Sequence, residues 1–163
     1  MHRSAVPTLP LLVFAAALFW PIAAAAQPVM IPRIGRAPHP ASETYIILKN
    51  YFSDTAVSGF TLISADSKTR TIVAKRTGID SATWSEWAYC KMGAGSLISS
   101  MTQASVTVNA KVEPSGYSNS YVTVNADFEG TYSSLGANAT TQQCISMGVL
   151  ENNILAAAGV KQP

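Results

Sequence analysis

Two stretches of strict two-residue alternation most constrain what this chain can fold into. Val106, Val108, Ala110 and Val112 alternate with Thr107, Asn109 and Lys111, and Val122, Val124, Ala126 and Phe128 alternate with Thr123, Asn125 and Asp127. Successive side chains of a strand point to opposite faces, so each stretch has one apolar and one polar face. The polar segment 113–119 joins them and carries Pro114 and Gly116. Two half-buried antiparallel strands follow, in a sheet with one face against a core.

Other segments extend this pattern. Residues 60–64 and 71–75 are strand-like, and Asp66, Ser67, Lys68 and Thr69 between them supply turn chemistry, so the pair is expected as a hairpin. A further strand is expected over residues 83–90, with Trp84, Glu86, Ala88 and Cys90 on one face and Ser85, Trp87 and Tyr89 on the other. Ser42 is placed to cap a helix in which Tyr45, Leu48 and Phe52 recur at helical spacing, with Glu43 in the first turn and Gly59 as the stop. A final helix, capped by Thr140 or Thr141, is expected to run to Ala158 with Met147, Leu150, Ile154 and Ala158 as its apolar stripe. Residues 91–101 and 133–140 read as loops. The expected fold is α+β: an antiparallel sheet of about five strands with an N-terminal and a C-terminal helix packed on one face. A β-sandwich or barrel is the alternative, and would require the first helical stripe to be misread.

The N-terminus bears on the compartment. Met1, His2 and Arg3 make a short basic start, an apolar stretch runs from Leu9 to Trp20, and small residues end at Ala26 and Gln27. Residues 1–27 are therefore expected to be a secretory signal peptide. The alternative is an uncleaved membrane anchor, although the apolar core of about 12 residues is shorter than a spanning helix needs. Residues 28–41, with Pro28, Pro32, Pro38 and Pro40, read as a proline-rich extended leader: a mobile linker, or a docking arm ordered by a partner. Residues 42–160 form a single expected domain. A periplasmic or secreted protein with no stable membrane span after removal of the leader is the expected product.

Export decides how Cys90 and Cys144, the only cysteines, are read. In an oxidising compartment they are expected to form one disulfide, the alternative being two buried thiols. On the expected helix stripe, Cys144 would face the sheet where Cys90 ends a strand. No metal site is expected, because the only histidine past the expected signal peptide is His39 and zinc wants several such ligands. Eleven Lys/Arg against nine Asp/Glu, with no basic block, make nucleic acid a poor partner.

No motif for nucleophilic catalysis, phosphate cradling or metal binding is present. Asp127 and Glu129 share a strand face as paired acids would, but that spacing equally suits solvent-facing positions. An enzyme is not expected, and neither is a cofactor. Trp87, Tyr89 and Tyr121 are expected on the sheet face away from the helices, as a binding face or as cross-strand pairs that cover the sheet. Asn138, Ala139 and Thr140 match a glycosylation sequon, a pattern common by chance.

One resemblance rests on specific residues. The run from Gly59 to Asp66 followed by Thr69 to Arg76 resembles a hairpin of small bacterial envelope proteins, and the run from Cys144 to Glu151 is similar to the last helix of such domains. The helix-grip domains of BamC-type outer-membrane assembly lipoproteins are relatives in style. The lipid-bearing cysteine of those lipoproteins has no counterpart here. The resemblance implies a non-catalytic envelope module that binds an envelope protein. The strand valines leave a second expectation open: a periplasmic carrier holding a small apolar ligand between sheet and helix.

Overall fold

The computed structural model describes residues 32–91, 99–134 and 138–161. The expected signal peptide over residues 1–27 and most of the loop expected over 91–101 lie outside the described residues. In chain order the elements are β1 (Arg33–Ala37), α1 (Ala41–Ser53), α2 (Thr55–Ser58), β2 (Thr61–Asp66), β3 (Thr71–Thr77), α3 (Ser81–Trp87), β4 (Ala88–Tyr89), β5 (Ser99–Pro114), β6 (Ser120–Ser134), β7 (Thr140–Ser146) and α4 (Val149–Ala157).

The two alternating stretches lie at the centre of this architecture. β5 and β6 pair antiparallel along nearly their whole length, with Val108 opposite Ala126 and Val112 opposite Val122. At the strand rise of about 3.4 Å per residue, 16-residue β5 spans about 50 Å. The apolar set Val106, Val108, Ala110, Val112, Val122, Val124, Ala126 and Phe128 is buried. α1 adds Tyr45, Leu48 and Phe52 to the same core, and α4 adds Leu150, Ile154, Leu155 and Ala158. Both helices therefore cover one face of the sheet, as the α+β reading expects. A buried hydrogen bond pins α1 to β6: the Ser120 hydroxyl donates to Thr44 Oγ1 at 2.8 Å, and Thr44 donates onward to the His39 carbonyl. The two hydroxyls thus satisfy each other where water is excluded.

The β2–β3 hairpin forms as expected, with Asp66 accepting from the Lys68 amide and the Thr69 hydroxyl across the turn. Those bonds, the Thr69 hydroxyl first, hold the Asp66 carboxyl below the usual carboxylate range.

Three expectations are corrected. First, among the described residues the antiparallel sheet has seven strands, in the order β2-β3-β5-β6-β7-β4 with β1 also on β6, rather than about five. A strand precedes the first helix. Part of the proline-rich leader is β1, paired from Arg33 opposite Val124 to Ala37 opposite Ser120. Prolines at 32 and 38 bracket the strand without interrupting it, and α1 begins at Ala41 with Pro40 rather than Ser42 at its N-cap.

Second, residues 81–87 are helical. The Asp80 carboxylate accepts from the Thr83 amide and hydroxyl at 2.9 and 2.7 Å, capping α3, and these bonds depress its pKa. Trp84 and Trp87, three residues apart, both turn inward, where a strand would have sent them to opposite faces.

Third, the expected final helix is a strand followed by a shorter helix. β7 pairs with β6 from Phe128 opposite Cys144 to Tyr132 opposite Thr140. Met147 is exposed rather than on an inward stripe, and α4 starts only at Val149.

Candidate functional site

Cys90 and Cys144 form a disulfide. Its setting differs from the expected helix-to-strand staple. β4 pairs antiparallel with β7, Ala88 opposite Ser146 and Tyr89 opposite Ile145, and the next pair in that register is Cys90 opposite Cys144. The bridge joins neighbouring chain segments across a sheet edge, with Cα atoms 4.3 Å apart, and fixes the end of α3 to the end of β7. It is structural, and a cross-link of this kind fits an oxidising compartment outside the cytoplasm. No helix among the described residues is long and apolar enough to cross a membrane.

The expected aromatic face does not assemble. Trp87 is buried in α3, with the Arg76 guanidinium 5.2 Å from its ring centroid. Trp84 beside it meets Phe128 edge to face. Tyr89 is exposed on short β4, next to exposed Ile145. Tyr121 is exposed on β6, opposite Arg36 on one side and Glu113 on the other. The tryptophan was misplaced because α3 was read with a period of two.

The Asp127 and Glu129 pair lies on the polar face of β6. Burial, and secondarily the neighbouring Glu129 charge, raise the Asp127 carboxyl above the usual range. Thr107 and Ser105 stand opposite the two acids on β5. Lys75 on β3 stands on the far side of Thr107. His39 sits at the start of α1, 3.2 Å from Glu43. Among the described residues no group of three or more His, Cys, Asp or Glu side chains could hold a metal ion.

The strand valines do not line a ligand space, because Val106, Val108, Val112, Val122 and Val124 are fully buried in the core. Among the described residues, open space is found in a groove of about 710 Å³ between β1 and the C-terminal end of α4. Ile34, Leu155 and Val160 give it apolar walls, and Arg33, Arg36 and Lys161 give it three cations. Among the described residues its lining contains no carboxylate. None of the three cations takes part in an ion pair among the described residues.

Two glycines make this geometry possible. A Cβ on Gly35 would stand 2.6 Å from Val160 and 3.2 Å from Leu155, so only glycine lets α4 approach β1 this closely. Gly148, at φ +82°, begins α4, and a side chain there would meet the Arg33 guanidinium at 2.5 Å. Arg33 thus rests against the turn that starts α4, while Arg36, on the opposite face of β1, stands across from Tyr121.

The sequence offers residues 28–41 only as a linker or a docking arm and gives no sign that they meet Asn119 and residues 152–161, so the groove is not legible there. The available signal was Arg33, Ile34, Gly35 and Arg36 between two prolines: a short run with an apolar residue and no helix former other than arginine.

No family model and no curated protein matches the chain. The resemblance to BamC-type helix-grip domains therefore has no counterpart in either comparison. Among solved structures, the chain is similar to a DUF4468 family protein from Bacteroides ovatus, at 13% identity and a TM-score of 0.35, over 69% of this chain. The match spans 59% of that protein's chain. At that TM-score the likeness carries no argument about fold or function.

Proposed function

We propose that this chain is a non-catalytic exported module that binds an envelope protein, and that the groove between β1 and α4 is its contact surface. The observation that carries the reading is three cations without carboxylate partners, gathered on an open groove beside an edge strand. Unneutralised like charges held together favour an acidic partner and hasten its encounter. The close packing of the strand valines favours this reading over a carrier of an apolar ligand. A carrier needs space where these side chains fill it.

The test is comparative capture from envelope extract by the mature, disulfide-bonded chain. The wild type and Tyr89→Ala should retain the same stoichiometric protein, and Arg33→Glu/Arg36→Glu should lose it. Equal capture by the charge-reversed chain, or no captured protein at all, would remove the groove as the contact. A small apolar molecule retained in native mass spectrometry would favour the carrier instead.

A further inference from the structure

We infer that the groove receives an extended acidic segment of the partner, which adds to the sheet as a strand along β1. This deepens the binding reading above and rests on it.

β1 pairs on one side only. Its residues 33–37 face residues 124–120 of β6, and among the described residues no strand pairs with its other edge. In an antiparallel ladder, alternate residues aim their N–H and C=O groups away from the paired strand, so that edge presents free donors and acceptors. The groove runs beside it. An extended peptide satisfies such groups with main-chain bonds and takes specificity from side chains that alternate between the two faces.

The side chains of β1 define that specificity. Arg33 lies on the helix-covered face, in register with Val124, and Arg36 on the opposite face, in register with Tyr121. The two cations therefore flank the edge from opposite faces, three residues apart. A docked strand meets both when it carries acids three residues apart, because that spacing also puts them on opposite faces. Exposed Ile34, in register with Thr123 and diagonal to Tyr121 on the outer face, offers an apolar contact between the acids.

The same charges argue against a second copy of this chain as the occupant. Two β1 edges paired antiparallel about Gly35 would set Arg36 of each copy opposite Ile34 of the other and Arg33 opposite Ala37, gathering four like charges on one short ladder with no acid to offset them. An acidic strand reverses the sign of that interaction.

The probe is a labelled peptide about eight residues long, with two glutamates three residues apart among valines and threonines. Binding to the mature chain is followed by fluorescence anisotropy. The expected result is saturable binding that weakens with salt and falls about tenfold or more for Arg36→Glu and for Arg33→Glu/Arg36→Glu, with Tyr89→Ala unchanged. Methylation of alternate peptide amides should cost a similar factor, because it removes the ladder donors. Circular dichroism melts of the variants check the fold, and Arg36→Glu alone serves if Arg33, which rests on Gly148, proves structural.

Four results would overturn the inference: no binding of the acidic peptide, equal binding of its lysine counterpart, indifference to amide methylation, or complete displacement by millimolar inorganic phosphate. The last would mark a simple anion site. If the peptide fails while Arg33 and Arg36 still govern partner capture, the binding module stands and only the added strand falls.

Discussion

At the scale of single residues, Gly35 decides how closely α4 meets the sheet. Gly35→Val should lower the melting temperature and loosen the groove together, because its side chain would overlap Val160 and Leu155. Trp87→Ala should likewise destabilise the chain, since Trp87 is buried against Arg76, whereas Tyr121→Ala should leave the fold intact and weaken capture. Thermal melts beside pull-downs separate these outcomes. Asp127 gives a pH signature. Its folded-state pKa is raised, so the folded chain holds that proton more tightly than the unfolded one. The corresponding stability is present below the ordinary aspartate value and is lost as pH rises through the raised value. Asp66 and Asp80 act in the opposite sense: their lowered values give stability that is present above the ordinary range and lost as pH falls through the folded-state values. Asp127→Asn should therefore stabilise the chain near neutral pH and have less effect in acid, as measured by urea unfolding at both. Glu151 in α4 is buried, and its Oε2 has no hydrogen-bond partner among the described residues. Glu151→Met should raise the melting temperature, because it removes a carboxylate from a site that offers that oxygen no partner.

At the scale of elements, the legible parts were those whose period repeats. β5 and β6 alternate over many residues, and the stripe Tyr45, Leu48 and Phe52 keeps helical spacing, so these elements and their buried faces followed from pattern alone. The illegible parts were short. α3 has seven residues, and its aromatic content favoured a strand; only the Asp80 cap distinguishes it. β7 buries Cys144 alone among its residues, so it shows no alternation, and the spacing from Cys144 to Met147 imitated a helix. The disulfide follows from compartment and count and Cys90 does lie at the end of a strand, but Cys144 lies on β7 rather than on the expected helix, so the bridge joins two strands. Its contribution is testable. Cys90→Ala/Cys144→Ala removes a bridge across 54 residues, and chain-entropy reasoning sets the loss at about 4 kcal/mol, read from denaturant midpoints. A loss well under 1 kcal/mol would mean that the β4–β7 pairing already constrains that loop. Asp80→Ala should release the start of α3 and lower the melting temperature by a few degrees.

At the scale of the whole molecule, a long two-stranded ribbon carries α1 and α4 on one face and leaves the edge of β1 beside an open cationic groove. The site is not legible because it is assembled chiefly from the two ends of the domain, residues 33–38 and 152–161, with Asn119 beside them, and these ends approach only once β6 has paired with β1 and α4 has folded back over Gly35. Neither end carries a periodic signal that announces the other. The account stands on whether a partner protein meets this edge. Site-specific photo-crosslinking in the exporting cell tests that most directly, with the photoreactive residue placed at Ile34, at Tyr89 or at Val57, all exposed. A partner seated on this edge gives a discrete protein adduct from Ile34 and none from Tyr89 or Val57. Adducts from Tyr89 or Val57 with none from Ile34 would contradict that seating.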